Sequence, residues 1–188
     1  VRAGVTCTIG NGVVVNPEVL AEEVEELGSR GIEVRGRLKV DGRAHLILPY
    51  HIRLDGYREK ALGKAKIGTT NRGIGPTYED KIARVGVRVQ DVFDEGILRQ
   101  KLEAALREKT SAIANAYAEE PYTADELVSY LLSFCDLLEP MVADTGGLLR
   151  GALSRGESVL LEGAQLGTEG EGHLLVFRRI ALAGKRTF

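Results

Sequence analysis

Apolar and polar positions change period several times along the chain, and each change marks an element. From Val5 to Ile9 apolar and hydroxyl residues alternate, which predicts a strand. Gly10-Asn11-Gly12 is a turn, and Val13-Val14-Val15 is an apolar run suited to a buried strand. Asn16-Pro17-Glu18 carries three helix-start signals: a capping amide, a proline at the first helical position and an acid in the first turn. Leu20, Val24 and Leu27 follow at helical spacing, and Gly28 and Gly31 supply the stop. Ile32 to Val40 reads as an extended segment with an Arg/Lys-rich exposed side. Pro49 opens a helix that runs through Ala61, and Gly63 to Pro76 is a loop. Pro76 or Thr77 starts a short helix with Tyr78, Ile82 and Val85 on one face, and Val87 and Val89 form a brief strand.

From Ile97 to Leu153 the pattern is nearly all helical. One helix carries Leu98, Leu102, Ala105 and Leu106; a second carries Leu127, Leu131, Phe134, Cys135 and Leu138; a third follows Pro140. Ser158-Val159-Leu160-Leu161 reads as a buried strand that ends in Glu162-Gly163-Ala164-Gln165. Strands alternating with helices, then a helical block, then a strand, predict an α/β fold with a helical insertion. The chain opens on Val1 as if a strand were entered partway, so a piece of a longer protein and a trimmed complete one both fit.

Composition removes several classes of function. The 188 residues carry 25 Lys+Arg and 27 Asp+Glu, a formal charge of −2, so no basic excess points to nucleic acid or an anionic membrane. No apolar run approaches a membrane span. Two cysteines make neither a disulfide framework nor a four-cysteine zinc site, and the default compartment is a reducing cytoplasm. His45 and His51 lack partners at metal-ligand spacing and are assigned to packing or the surface, as Cys135 is assigned to packing.

The segment Ile67-Gly68-Thr69-Thr70-Asn71-Arg72-Gly73-Ile74-Gly75-Pro76 concentrates three glycines, two hydroxyls and a guanidinium. Glycines let N–H groups turn towards an anion, hydroxyls donate to phosphate oxygens, and arginine pairs with phosphate in a fork. A helix beginning at Pro76 adds its positive dipole end. It is no Walker A loop, because Arg58 stands where that motif needs its first glycine and Ala65 follows Lys64. A structural turn remains open as its alternative. Arg84, four residues after Asp80, reads either as half of an exposed ion pair or as an anion-recognising arginine at a rim or interface. Gln165, at a strand end, either reads a small ligand through its amide or simply leaves the strand.

Together these segments resemble one family, adenylosuccinate synthetase. The resemblance rests on Ile9-Gly10-Asn11-Gly12-Val13-Val14, Arg30-Gly31-Ile32, Tyr50-His51, Arg58-Glu59-Lys60, the string from Ile67 to Lys81, Ala83-Arg84, Gly86 to Arg88, and Glu162-Gly163-Ala164-Gln165. It covers roughly residues 1–165, and residues 166–188 depart from it as a divergent tail. The resemblance implies a GTP-dependent ligase of purine (AMP) biosynthesis that joins IMP and L-aspartate, forming a C–N bond with Mg2+. It implies a partial, mostly parallel central sheet of a P-loop-NTPase-like fold, with a helical subdomain over about 97–153. By the same resemblance Thr70 binds the IMP phosphate, Arg84 reaches the IMP of the partner in a homodimer, and Gln165 contacts IMP. The family's glycine-rich loop, with its catalytic aspartate and lysine, and its catalytic histidine would precede Val1, and its guanine- and aspartate-binding segments would follow. No catalytic or metal-binding residue is therefore assigned here, and the chain alone is expected to be inactive. A non-catalytic IMP- or phosphate-binding module, or a dimerisation piece, is the alternative.

Overall fold

The computed structural model describes residues 4–63, 68, 70–117, 120–161 and 179–183, with backbone alone at 108, 110–117 and 179–183. Its elements in chain order are β1 (Val5–Ile9), β2 (Val14–Val15), α1 (Pro17–Ser29), β3 (Leu38–Asp41), β4 (His45–Leu46), α2 (Pro49–Leu62) and α3 (Ile74–Ala83). There follow α4 (Glu95–Tyr117), α5 (Ala124–Leu132), α6 (Cys135–Leu138), β5 (Val142–Ala143), α7 (Thr145–Ser154), β6 (Ser158–Leu161) and β7 (Arg179–Ala183). They form two compact units, one of Val1–Ala44 with Asp136–Phe188 and one of His45–Cys135.

The first unit is built on a five-stranded sheet ordered β5-β3-β1-β7-β6. β1 pairs in parallel with β3, and β3 with β5. β7 enters antiparallel between β1 and β6. Four of these strands therefore run one way, as the α/β expectation requires, and β7, from the segment expected to be a divergent tail, runs against them. Of the extended segment expected from Ile32, only Leu38–Asp41 is strand. Asn16 caps α1 through its side-chain oxygen, which accepts from the N–H groups of Glu18 at 3.0 Å and Val19 at 3.3 Å. Ile9, Val13, Val15, Leu20 and Val40 are buried.

The strand expected at Ser158–Leu161 forms, but not as a buried one. Val159 packs with Leu149 against Ala152 of α7, whereas Leu160 and Leu161 are 65% and 69% exposed. The reason is position: β6 lies at the edge of the described sheet. The block expected to be helical from Ile97 to Leu153 is interrupted by β5, a strand of this sheet.

At the end of β3 the buried carboxylate of Asp41 gathers five donor contacts. Arg43 supplies its N–H at 3.0 Å and its guanidinium fork at 2.8 and 3.0 Å. Thr145 at the start of α7 supplies its hydroxyl at 2.7 Å and its N–H at 3.3 Å. Burial raises the carboxyl pKa, but these hydrogen bonds outweigh it and hold Asp41 well below the usual carboxylate range.

In the second unit α4 packs on α5 and on a 3-10 turn at Val89–Phe93. Of the brief strand expected at Val87 and Val89, an isolated antiparallel bridge of Arg88 with His45 forms, and the 3-10 turn takes over from Val89. Leu98, Leu102, Ala105, Leu127 and Leu131 are buried. Thr123 and Glu126 form a reciprocal capping box at the start of α5. Cys135 is half-buried, its Sγ 3.5 Å from the Val92 carbonyl oxygen.

Asp41→Ala strands the buried Thr145 donors and frees Arg43. Urea unfolding is expected to show a loss of about 2–3 kcal/mol; an unchanged midpoint would contradict the role given to Asp41.

Candidate functional site

α2 begins at Pro49 with its fixed φ, and it buries an unusual stripe. His51, Asp55 and Glu59 recur every four residues, which places them on one helix face, and all three are buried. Each holds a different point of the chain that follows. His51 Nε2 lies 2.9 Å from Asp80 Oδ2 on α3. Asp55 Oδ2 accepts the N–H of Gly73 at 2.9 Å. Glu59 Oε1 accepts the N–H of Gly68 at 2.5 Å. The order is monotonic, with 80, 73 and 68 meeting 51, 55 and 59, so α3 runs antiparallel to α2 and the glycine segment continues beyond it.

Asp80 is the hub of this packing. It is 2% exposed, although Asp80 and Arg84 were open to reading as a surface pair. Tyr50 donates its hydroxyl to Oδ2 at 2.9 Å, and Lys109 of α4 pairs with Oδ1. The tautomer of His51 follows from its second contact. Its Nδ1 lies 2.9 Å from the backbone N of Leu48, a group that can only donate, so Nδ1 is unprotonated and Nε2–H donates to Asp80. Burial lowers the His51 pKa against the pull of Asp80 and keeps the ring neutral. Burial raises that of Asp80, but the hydrogen bonds from His51 and Lys109 prevail and hold it below its ordinary value.

The close approach of α3 to α2 requires a glycine at 73. Its φ is +75°, and a Cβ there would lie 2.8 Å from the backbone of His51 and Ile52. α3 starts at Ile74, two residues earlier than expected, with Gly73 as its cap. Its first-turn dipole end is met by the Asp55 carboxylate, so the helix end expected to face an anion already has one from this chain. The amides of Gly68 and Gly73 are likewise engaged by carboxylates. What the segment leaves outward is side chain: Thr70 is exposed and Arg72 half-buried.

At the other end of α3, Arg84 is exposed and adopts φ +63°, a left-handed conformation that costs a non-glycine residue about 1 kcal/mol. The carbonyl of Asp80 accepts from Val85 and Gly86 and fixes this turn. Ile82, expected on the packing face, is 80% exposed, and the buried face consists of Pro76, Thr77 and Asp80. α3 has ten residues, so it spans about 15 Å. The segment bearing Thr70 leaves α3 away from Arg84, and one chain therefore does not bring these two residues together. Gln165 lies outside the described residues, as do Ile67 and Thr69.

Sequence reasoning missed the α2 stripe, because buried acids are rare. The signal was present as three polar residues at a strict spacing of four, next to a glycine segment rich in donors. It also missed a cationic end on α3: burial, and then the nearby Arg88, lower the Lys81 pKa. His45 and His51 do pack, as expected. His45 sits 5% exposed against Gly86, its Nδ1 without a hydrogen-bond partner among the described residues, and burial, with Lys81, Arg88 and Lys101 adding to it, lowers its pKa to about 4. Among the described residues no three His, Cys, Asp or Glu side chains converge as a metal cluster.

Comparison with known proteins gives one consistent match. The family model described as adenylosuccinate synthetase matches residues 1–168. The adenylosuccinate synthetase of Kocuria rhizophila is 51% identical over 160 residues, covering 85% of this chain and 37% of that protein. That of Micrococcus luteus is 53% identical over 157 residues, covering 84% and 36%. The solved structure of fully ligated adenylosuccinate synthetase from Plasmodium falciparum aligns with a TM-score of 0.65 at 26% identity, over 79% of this chain and 34% of that one. The chain thus spans little more than a third of the length of the curated relatives it matches.

The burial of neutral His45 sets a pH dependence. Folded, it takes a proton only near pH 4, while the unfolded chain takes one near 6.5. The unfolded state binds more protons between these values, so stability is highest above about pH 6.5 and falls as pH drops towards 4, by up to roughly 3 kcal/mol from this group. Urea unfolding at pH 7, 6 and 5 should show that fall, with a shallower slope for His45→Gln. An equal slope in both proteins would refute the assignment.

Proposed function

Because the chain belongs to the adenylosuccinate synthetase family, whose members are C–N bond-forming ligases of AMP biosynthesis, we propose that it supplies the phosphate end of an IMP site. The complete reaction is the GTP-dependent joining of IMP and L-aspartate. GTP phosphorylates the 6-oxygen of IMP, which makes it a competent leaving group, and the amine of aspartate then displaces it. Thr70 donates its hydroxyl to the IMP phosphate, Gln165 contacts IMP through its amide, and Arg84 pairs with the phosphate of an IMP held by the partner in a homodimer.

The observation that carries this reading is the ordered tie of residues 80, 73 and 68 to α2. It presents an exposed Thr70 on a segment fixed at both ends. It also supports the trans role of Arg84. With α3 between them, an arginine at one end is well placed to serve a second chain's phosphate and not the Thr70 of its own. The left-handed φ at Arg84 supports the same assignment, since strain at a non-glycine residue gathers at binding sites.

GTP and Mg2+ belong to the whole reaction, and no residue of this chain is assigned to either; among the described residues no three His, Cys, Asp or Glu side chains gather as a metal site. The residues named here bind and orient, and none moves a proton. The chain by itself is accordingly read as inactive in ligation. The protein is read as cytoplasmic, in keeping with a chain that carries only two cysteines and no disulfide framework; among the described residues no helix is long and apolar enough to cross a membrane.

Titration of the chain with IMP by calorimetry, without GTP, tests the reading. Binding at millimolar concentration or tighter is expected, with at least a tenfold loss, about 1.4 kcal/mol, in Thr70→Ala. Affinity indifferent to Thr70→Ala would overturn the assignment. Adenylosuccinate formed from IMP, GTP and aspartate by this chain alone would overturn its reading as a partial site.

A further inference from the structure

The glycine segment is tied down by two acids, an unexpected choice beneath a site for an anion. Asp55 and Glu59 are each 7% exposed and stand one turn apart on α2, about 6 Å along its axis. Between the amides they hold, the chain runs from Gly68 to Gly73 and carries Thr70 outward. The Gly73 foot is further fixed by Thr77, whose hydroxyl donates to the Gly73 carbonyl at 2.7 Å. The residue at 73 cannot retreat, because its backbone lies against that of His51 and Ile52.

Two physical effects of these acids oppose each other. A carboxylate accepting from a backbone N–H makes a stronger bond than a neutral acceptor does. A negative charge close to the phosphate repels it, and Asp55 also uses up the positive end of α3. Acids at these positions weaken a generic anion-binding nest, so their use makes sense only if the gain is geometric.

We propose that Asp55 and Glu59 are positioning residues: by holding the amides of Gly73 and Gly68 they fix both feet of the Thr70 segment, so that phosphate is recognised by outward side chains and not by a nest of backbone amides. This rests on the reading of Thr70 as the phosphate-binding hydroxyl. The ligand class is a phosphate monoester on a nucleoside, and discrimination against free inorganic phosphate comes from groups other than these amides.

The two effects separate by substitution. Asp55→Asn and Glu59→Gln keep an oxygen that accepts the N–H and remove the charge. Asp55→Ala and Glu59→Ala remove both. Amide hydrogen exchange of the full chain, without ligand, reads the geometry: protection at Gly68 with Glu59→Ala, and at Gly73 with Asp55→Ala, should fall at least about tenfold, and the amide variants should retain most of it. IMP affinity, measured well below each variant's melting temperature, reads the purpose. Both alanine variants should lose about tenfold or more, whereas Asp55→Asn and Glu59→Gln should bind at least as tightly as the unaltered chain, because the repulsion is gone. A merely structural role would lower the melting temperature and leave the affinity of the folded chain unmoved, and that result would overturn the proposal. So would amide variants as weak as the alanine variants, or unchanged exchange in the latter. Failure of the unaltered chain to bind IMP would instead overturn the reading of Thr70, and the exchange data would then decide the positioning alone.

Discussion

The second unit depends on one buried ion, the carboxylate of Asp80. Stripped of water and left alone, such a group costs several kcal/mol. Here it is met by the Tyr50 hydroxyl, the Nε2–H of a neutral His51 and the Lys109 ammonium. These donors come from α2 and α4, so one side chain of α3 fixes that helix against two others. Removing any donor leaves the charge undercompensated, and this makes the arrangement specific as well as stable. The neutrality of His51 is part of the design. Its Nδ1 is committed to the Leu48 N–H at the start of α2, so the ring links that helix start to Asp80.

Everything proposed about binding follows from the register this contact sets. With residue 80 opposite 51, the four-residue period of α2 carries Asp55 to Gly73 and Glu59 to Gly68. The glycine segment then leaves the far end of α3, and Arg84 leaves the near end. A helix of about 15 Å lies between a hydroxyl and a guanidinium that the family resemblance assigns to the same kind of phosphate. Under the proposed homodimer, a second copy of the chain would reconcile that separation. The backbone of Asp80 completes the link, because its carbonyl caps the turn that holds Arg84 in its left-handed conformation.

Much of this was legible in the residues. Asn16-Pro17-Glu18 announced α1, and Asn16 does cap it. The glycine and hydroxyl content of 67–76 singled out the candidate site and carried the family resemblance. What failed to show was long-range pairing. Val142–Ala143 is too short and too close to helical sequence to stand out as a strand, and it becomes one only by lying beside β3. Leu160 and Leu161 look like core but stand on an edge strand, which periodicity cannot reveal. The acids of α2 look like surface until the glycine segment delivers its N–H groups to them. The expectation that helix dipole and glycine amides would face an anion was sound for an isolated loop. It was changed by side chains some 9 to 18 residues earlier in the chain.

The protonation of His51 tests this account most directly. Long-range 1H–15N NMR of the folded chain at pH 7 should show a neutral ring with the proton on Nε2 and none on Nδ1. An imidazolium, or the tautomer with its proton on Nδ1, would break the contact to Leu48 and contradict the register on which the site is built.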